Sequence, residues 1–252
     1  MPVWHGVLLD AGGVLLVGDR AVPGAAETLR DLRRRGLPWR VLSNTSSCSR
    51  ARLADRLRTA GLDVEPSDIL TATTATADHL RRVGGTSLLF VTPDAARDLA
   101  TLPQTDEDPD HVVVGDTDAV FSRPAMNRAV RALRRGANLV AMARNRWYQT
   151  ASGPAVDVGA AIAALEYAAE VEALVVGKPS PGFFHQGAAS LGLAPDQVVM
   201  VGDDPEADIL GAQRAGMAAI HVGPPRAWAE ETRPVATVRS VAGILDLLPK
   251  HR

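Results

Sequence analysis

The sequence predicts an α/β protein built on a parallel sheet, with a second, smaller α/β unit inserted into the first. Three observations carry this prediction. Short apolar runs alternate with amphipathic helical patterns along the chain, which is typical of parallel sheets with helices on their faces. Several runs in the first and last thirds end in carboxylate, hydroxyl or ammonium side chains, and the three runs in the middle end in no such group. We therefore assign residues 1–76 and 176–252 to a core and residues 77–175 to an insert.

The first third of the chain alternates strand and helix patterns, and its helices have recognisable ends. Gly36 and Gly61 end two of them, because glycine adopts the left-handed conformation that stops a helix, and Ser49 can cap the second at its start. The predicted elements are a strand that ends before Asp10, helix 25–35, strand 38–43, helix 50–60, strand 69–71 and helix 74–83.

The middle and last thirds continue this alternation. In the insert we predict strands 87–91, 111–115 and 138–142 and helices 94–100, 124–135 and 158–169. In the last third we predict strands 173–177, 197–202 and 217–222, helix 181–191, a helix that carries Asp208 and ends at Gly216, and a last helix at 240–248. Pro181 suits the first turn of its helix, because the N–H it lacks would be unpaired there.

Composition and charge argue against several classes of protein. Apolar residues make up 46% of the chain and charged residues 22%, as in ordinary globular proteins. A net charge of -2 leaves no basic stripe, so we expect no nucleic-acid partner. No apolar run reaches membrane-spanning length, and the N-terminal residues lack the layout of a signal peptide. The single cysteine, Cys48, excludes an internal disulfide. We expect a soluble, cytoplasmic protein with no membrane partner.

Asp10 is the residue around which the predicted core is organised. It ends the first apolar run and is followed closely by Gly12 and Gly13. Ligands of open α/β sheets bind at the carboxyl ends of the strands, and glycines allow a sharp turn and a close approach of ligand to backbone. By itself Asp10 could be a nucleophile, a metal ligand or a turn residue, since Asp-x-Gly is also common turn chemistry.

Other predicted strand ends carry a second set of polar groups. Ser43 and Lys178 follow two of them, and Asp203, Asp204 and Asp208 follow a third. If these ends adjoin, the crevice contains several carboxylates, which repel one another and therefore imply a cation. A set of oxygen ligands favours a hard ion, and Mg²⁺ together with a phosphate is the usual combination.

This chemistry suggests a role for each group. An aspartate such as Asp10 is ordinarily ionised at neutral pH, so we expect Asp10 to suit the formation of an aspartyl-phosphate. Ser43 and the backbone of Asn44 can hydrogen-bond the phosphoryl oxygens. Lys178 can screen the charge that develops in the transition state. Of 27 basic residues only Lys178 and Lys250 are lysines, so a lysine at position 178 indicates a need for a compact ammonium group.

Four sequence motifs resemble a known family. In chain order they are Asp10-Ala-Gly-Gly-Val-Leu, Ser43-Asn44, Gly177-Lys178-Pro179 and Gly202-Asp203-Asp204-x-x-x-Asp208. They are similar to motifs one to four of the haloacid dehalogenase (HAD) superfamily, and the insert between motifs two and three is similar to a class IIA cap. The resemblance is strongest to the branch of phospholysine phosphohistidine inorganic pyrophosphate phosphatases, on Asp157-Val-Gly159, Ala164-Leu-Glu-Tyr-Ala168, Val176-Gly-Lys-Pro-Ser-Pro181 and Gly211-Ala-Gln-Arg-x-Gly216.

The resemblance implies a Rossmann-like core with an inserted, mobile α/β cap. It further implies Mg²⁺, hydrolysis of phosphate esters or phosphoramidates, and a homodimer formed through the cap. The residues that match the motifs are the predicted catalytic groups Asp10, Ser43 and Lys178, and the predicted metal ligands Asp10, the Gly12 carbonyl, Asp203 and Asp208.

Gly12 is where the chain departs from the family pattern. Most phosphatases of this superfamily have a second Asp two residues after the nucleophile, which acts as general acid and base. No side chain at Gly12 can protonate a leaving group, and such a proton transfer is worth roughly 10²- to 10⁴-fold in rate. Either the small phosphorylated substrate has a good leaving group, as in a phosphoramidate, a pyrophosphate or an activated ester, or the protein turns over slowly or not at all.

The remaining candidates have two readings each. Four residues follow a strand of the insert and could line a substrate pocket: Arg144, Arg146, Trp147 and Tyr148. The two aromatic residues could instead pack in a core. Asp157 either faces the substrate, as the resemblance implies, or only caps a helix. We predict substrate contacts from Gly12, Asn44, Arg146 and Asp157. Asp203 is favoured over Asp204 as a metal ligand, and Asp208 is expected to orient Lys178 or a metal-bound water.

Three functions fit these residues. The first is a Mg²⁺-dependent phosphohydrolase. The second is a phosphate-binding or regulatory protein of the same fold, which Gly12 favours. The third is a phosphoacceptor signalling domain, which also uses Asp, a hydroxyl residue and Lys at strand ends, but in which an acid pair precedes the acceptor strand and a long insert has no place.

Overall fold

A computed structural model describes residues 3–150 and 152–249 of the chain. By contacts between residues, the described chain forms two compact units. The first comprises residues 3–43, 53–70 and 178–249, and the second comprises residues 44–52, 71–150 and 152–177. The predicted α/β class is confirmed. The predicted insert bounds of 77–175 stay a prediction, and Lys250 lies outside the described residues.

The strands and helices follow the predicted alternation. The strands are β1 (Gly6–Leu9), β2 (Leu16–Val17), β3 (Arg20–Ala21), β4 (Trp39–Ser43), β5 (Ile69–Thr71), β6 (Ser87–Phe90), β7 (His111–Val114), β8 (Asn138–Ala141), β9 (Trp147–Thr150), β10 (Gly153–Val156), β11 (Leu174–Val175), β12 (Val198–Gly202), β13 (Ala218–Val222) and β14 (Ala236–Val238). The α-helices are α1 (Ala25–Arg34), α2 (Arg50–Thr59), α3 (Ala72–Val83), α4 (Ala96–Leu99), α5 (Arg123–Arg134), α6 (Gly159–Ala169), α7 (Pro181–Ser190) and α8 (Gly211–Arg214).

The main sheet has six strands in the order β14-β13-β12-β1-β4-β5. β1 pairs in parallel with β12 and β4, and β13 pairs in parallel with β12 and β14. Every residue of β1 and of β12 is buried, because helices cover both faces of a parallel sheet and its central strands are therefore apolar throughout. This arrangement places β1, and with it Asp10, in the middle of the sheet.

The second unit contains its own four-stranded sheet in the order β11-β8-β7-β6, with parallel pairing throughout. Each face of this sheet has a hydrophobic core. Val112 and Val114 pack with residues of α5 and α6, whereas Val113, between them, packs with residues of α3 and α4. Because successive side chains of a strand point to opposite faces, one apolar strand serves both cores.

The structure contains elements that the sequence pattern did not predict. These are the antiparallel hairpins β2–β3 and β9–β10 and the edge strand β14. β2 and β3 have two residues each, too few to produce a periodic pattern. The predicted last helix is wrong in type, since Val241–Asp246 forms a 3₁₀-helix. No helix within the described residues has the length and apolar character that crossing a bilayer requires.

Candidate active site

The register of the main sheet brings the predicted polar groups to one edge. Leu9 of β1 pairs with Val201 of β12, so Asp10 and Asp203 follow their strands at nearly the same level. β4 lies on the other side of β1 and ends in Ser43, which is buried. The three side chains thus follow adjacent parallel strands at their carboxyl ends, where ligands of such sheets bind.

Lys178 lies between two carboxylates of this edge. Its Nζ donates to Oδ1 of Asp10 at 2.5 Å and to Oδ1 of Asp208 at 2.6 Å. Lys178 is 3% exposed and Asp208 is 1% exposed. A buried ammonium group is tolerated only when it is paired and hydrogen-bonded, so these two bonds hold all three side chains in a defined arrangement.

Asp203 completes a cluster of three carboxylates with Asp10 and Asp208. One oxygen from each of the three lies within 4.8 Å of the others. Oδ2 of Asp208 accepts from the backbone N–H of Asp204 at 3.1 Å, so both oxygens of Asp208 already have donors. Gly202 makes room for this side chain, since a Cβ on Gly202 would lie 2.2 Å from the Cβ of Asp208.

The electrostatics of the cluster show that it lacks positive charge. Burial, opposed by Lys178 and reinforced by the charge of Asp208, raises the pKa of Asp10 to about 7. Burial and the charge of Asp208 likewise raise the pKa of Asp203 to about 6. Burial by itself lowers the pKa of Lys178, but the charges of Asp10 and Asp208 outweigh it and the net shift is upward. One ammonium therefore does not balance three carboxylates, and a cation would relieve the repulsion.

The two glycines after Asp10 differ in what they permit. Gly13 has φ +71°, and a Cβ there would lie 2.0 Å from Oδ2 of Asp203, so only glycine fits. Gly12 has no positive φ, it is exposed, and a Cβ there would meet only Oδ2 of Asp10, at 3.7 Å. The absence of a carboxylate at position 12 is therefore not a steric requirement of the turn.

Asp204 has a structural role. Its Oδ1 accepts from the backbone N–H groups of Glu206 and Ala207, each at 2.8 Å. It thereby caps the π-helical segment Pro205–Leu210, which carries Asp208. This capping supports the expectation that Asp203 is the better candidate for a metal ligand.

Asn44 and Asp157, both predicted to bind substrate, belong to the second unit. Both contact the side chain of Asn145, a residue that the sequence did not indicate. Nδ2 of Asn44 donates to Oδ1 of Asn145 at 3.3 Å, and Asp157 also hydrogen-bonds the Asn145 side chain. Oδ1 of Asp157 accepts from the N–H of Val158 at 2.6 Å, at the start of α6. Burial raises the pKa of Asp157. Nothing in the local sequence marks Asn145, because its partners are distant along the chain.

The side chains before Asp157 are mostly exposed. Trp147 is 60% exposed and Tyr148 is 49% exposed, so the reading in which they pack in a core is wrong. Arg144 forms an ion pair with Glu166 at 2.6 Å. Arg146 is exposed, and within the described residues it has no ion pair. Its predicted contact with substrate stays a prediction.

Comparison with known proteins places the chain in a family. Residues 7–102 match a family model described as haloacid dehalogenase-like hydrolase, and residues 175–243 match a HAD-hydrolase-like model. The chain is 36% identical over 250 residues to human haloacid dehalogenase-like hydrolase domain-containing protein 2, covering 97% of this chain and 96% of that protein. It is 35% identical over 258 residues to rat phospholysine phosphohistidine inorganic pyrophosphate phosphatase, covering 98% and 95% respectively.

Solved structures agree with this assignment. NagD from E. coli K-12 superposes with a TM-score of 0.87 at 32% identity, covering 96% of this chain and 98% of that one. A p-nitrophenyl phosphatase from Archaeoglobus fulgidus superposes with a TM-score of 0.91 at 27% identity, covering 98% and 100%. The chain belongs to the haloacid dehalogenase-like hydrolase family. The predicted enzyme class, a hydrolase of this superfamily with phosphatases among its relatives, is confirmed.

Proposed function

We propose that the protein is a Mg²⁺-dependent phosphohydrolase that acts through an aspartyl-phosphate on Asp10. The observation that carries this proposal is the buried bridge from Lys178 to Asp10 and Asp208, next to Asp203. It holds a nucleophilic carboxylate and a counter-charge at the sheet edge. Relatives named as phosphatases, including one named for phospholysine, phosphohistidine and pyrophosphate, support the reaction class.

The donor set fits Mg²⁺. All three groups of the cluster offer carboxylate oxygens, which this hard ion prefers, and it usually takes only one or two carboxylates together with phosphate and water. Asp10 and Asp203 would hold the ion, with the predicted Gly12 carbonyl, while Asp208 already uses both oxygens elsewhere. When bound, the ion supplies charge stabilisation for the transferring phosphoryl group.

In the proposed reaction, an Asp10 carboxylate oxygen attacks phosphorus and forms an acyl phosphate while the leaving group departs with the bonding electron pair. Water then attacks that phosphorus, releases phosphate and restores Asp10. The Ser43 hydroxyl would donate a hydrogen bond to a phosphoryl oxygen. Lys178 places positive charge beside the nucleophile throughout, and Asp208 positions Lys178. Substrate contacts from Gly12, Asn44, Arg146 and Asp157 stay predictions.

Lys178→Arg is expected to lower the turnover number at least tenfold, equal to about 1.4 kcal/mol of barrier. The site around Lys178 is closed, and a guanidinium is larger, planar and unable to place one nitrogen at 2.5 Å and 2.6 Å from two carboxylates in the same geometry. Steady-state kinetics with p-nitrophenyl phosphate measure this loss, and a melting curve checks the fold. Turnover close to wild type in a folded variant contradicts the assigned role of Lys178.

Magnesium is expected to raise the melting temperature, and more so at pH 8 than at pH 5. The folded-state pKa values of Asp10 and Asp203, about 7 and about 6, are above those of an unfolded carboxyl, so the folded state binds more protons between about pH 4 and pH 7. Without metal, stability therefore falls as pH rises through this window. At pH 5, which is below both folded-state pKa values, protons compete with the ion for these carboxylates, and metal binding releases them.

Thermal unfolding with and without Mg²⁺ at the two pH values tests this dependence. Asp203→Asn removes the negative charge of one proposed metal ligand. It is expected to reduce both the Mg²⁺-induced shift in melting temperature and the Mg²⁺ dependence of turnover. Asp196→Asn, at an exposed site of the same unit, is the matched control and should behave as wild type. An equal Mg²⁺ shift at both pH values, or none at either, contradicts a metal site on these carboxylates.

A screen of phosphorylated compounds with Mg²⁺ tests the function as a whole. It should include pyrophosphate, phosphohistidine, acyl phosphates and sugar phosphates. We expect turnover of the phosphoramidate, anhydride and acyl members, because their leaving groups depart without a general acid at Gly12. The second candidate function, a phosphate-binding or regulatory protein, is favoured by the missing carboxylate at Gly12. Binding of these compounds without turnover of any of them would support it.

A further inference from the structure

The first unit contains a cavity of about 670 Å³ whose lining includes Asp203, His221, Arg226, Arg239 and Ser240. In the sheet order β14-β13-β12-β1-β4, these residues lie at or beyond the carboxyl ends of β12, β13 and β14. Ser43 is the last residue of β4, which lies on the opposite side of β1. The cavity therefore begins at Asp203 of the carboxylate cluster and extends toward β14. Ser43, which would bind the reacting phosphoryl group, is on the other side of the cluster.

Strand register explains how the cavity forms. Gly202 pairs with His221, and Val222 pairs with Val238. Arg239 thus comes directly after the edge strand, level with the turn that follows β13. The carboxyl ends of three parallel strands meet here, which is a place where ligands bind in such sheets. The volume is within the range of small-molecule sites.

The exposed side chain of Arg226 contacts one of two packed aromatic rings rather than an acidic group. Its guanidinium lies 4.9 Å from the centre of the Trp228 ring, and Trp228 packs edge-to-face with His221 at 5.0 Å between ring centres. The His221 ring in turn donates to the backbone carbonyl of Asp203. Among the described residues neither Arg226 nor Arg239 forms an ion pair, although most arginines of the first unit's opening segment do.

Within this group of aromatic side chains, two buried polar atoms have no hydrogen-bond partner among the described residues. They are Nδ1 of His221 and Nε1 of Trp228. Leaving such an atom unsatisfied costs free energy, and native structures usually supply a water or an ion nearby. The first atom belongs to a residue that lines the cavity, and the second belongs to the ring that Arg226 contacts. A polar group bound beside them would satisfy these atoms.

We propose that this cavity is a second binding site, for a tetrahedral oxyanion of the phosphate class. Arg226 and Arg239 are exposed to solvent and have no acidic partner among the described residues, and Arg226 lies over the Trp228 ring. Guanidinium groups of this kind are suited to bind a phosphate or sulfate group. The hydroxyl of Ser240 adds a donor at the cavity wall. The ligand is either the second anionic group of a substrate or a free oxyanion, and it is distinct from the phosphoryl group that reacts at Asp10.

Titration with inorganic sulfate tests the site without any turnover. Sulfate is expected to change the fluorescence of Trp228 saturably, and Trp228→Phe identifies that part of the signal. The double variant Arg226→Gln/Arg239→Gln should weaken the apparent affinity at least tenfold. Arg214→Gln, at an exposed position of α8 in the same unit, is the matched control and should retain wild-type affinity.

The outcomes separate this site from the reacting centre. Ser43→Ala should leave sulfate affinity unchanged, because Ser43 lies on the other side of β1. Unchanged affinity in the double arginine variant, no saturable signal in the wild type, or loss of the signal in Ser43→Ala would each overturn the proposal. None of these measurements depends on the proposed reaction. Their results therefore test the second site independently of the proposed function.

A kinetic comparison identifies the source of the oxyanion, and this part rests on the proposed function. If the site receives the second phosphoryl group of a substrate, the ratio of KM for pyrophosphate to KM for p-nitrophenyl phosphate should rise at least tenfold in the double arginine variant. If it receives a free oxyanion, this ratio should stay constant, and added sulfate should change p-nitrophenyl phosphate turnover in the wild type more than in the double variant. Both results support the site.

Discussion

Asp10→Asn is expected to lower phosphatase turnover by about 10⁴-fold or more, as loss of a catalytic nucleophile generally does. An amide does not attack phosphorus, so no aspartyl-phosphate forms. The variant should fold, because asparagine has the same size and its Oδ1 can accept the 2.5 Å bond from Lys178. It also removes one of three crowded carboxylates, so its melting temperature without Mg²⁺ should be no lower than that of the wild type.

Three measurements check this result together. Turnover is followed with p-nitrophenyl phosphate and Mg²⁺, folding by thermal unfolding, and the intermediate by mass spectrometry of acid-quenched wild-type enzyme, which should carry one phosphoryl group on Asp10. Asp196→Asn, an exposed Asp-to-Asn change in the first unit, should keep wild-type turnover. Substantial turnover in folded Asp10→Asn would show that the covalent mechanism is wrong.

Gly12→Asp is expected to raise turnover of alkyl phosphates, such as glycerol and sugar phosphates, by roughly 10²-fold, the lower end of what a general acid contributes. The structure permits the change, because position 12 is exposed and its φ is not positive. A Cβ added there would lie 3.7 Å from Oδ2 of Asp10, an ordinary contact distance. The nearby carboxylates of Asp10 and Asp203 should raise the pKa of the new carboxyl group, which helps it to donate a proton near neutral pH.

A series of substrates with graded leaving-group pKa measures this effect. In the wild type, the logarithm of the rate should fall steeply as the leaving-group pKa rises. Gly12→Asp should flatten this slope and act selectively on poor leaving groups. Gly12→Asn is the matched control, because it adds the same volume without a transferable proton, and it should keep the steep slope.

A folded Gly12→Asp variant with unchanged slope and preference would contradict the idea that position 12 limits proton transfer. Another group would then already protonate the leaving group. Asp157 is the first to test, since burial raises its pKa. Asp157→Asn should in that case steepen the slope in the wild-type background.

The local sequence was sufficient to predict the alternation of strands and helices and the strand ends that carry the candidate site. Buried parallel strands such as β1 and β12 are continuous apolar runs, and the polar residue that ends each run is visible in the sequence. The order of the motifs then indicated the family. Asp10, Ser43, Lys178 and Asp203 were identified in this way, because each stands at the end of an apolar run. Asp208 lies within a predicted helix and was identified by its spacing from Asp203 in the fourth motif.

Only the tertiary structure decided how these residues divide their roles. The sequence analysis favoured Asp203 over Asp204 as a metal ligand without giving Asp204 another role, whereas the fold shows that Asp204 caps a helix and that Asp208 packs against Gly202. It could not show that Gly13 must be glycine while Gly12 need not be. Nor did it indicate Asn145, or the cavity around Arg226 and Arg239. These features depend on contacts between residues far apart along the chain, and periodicity reports only the local environment of each segment.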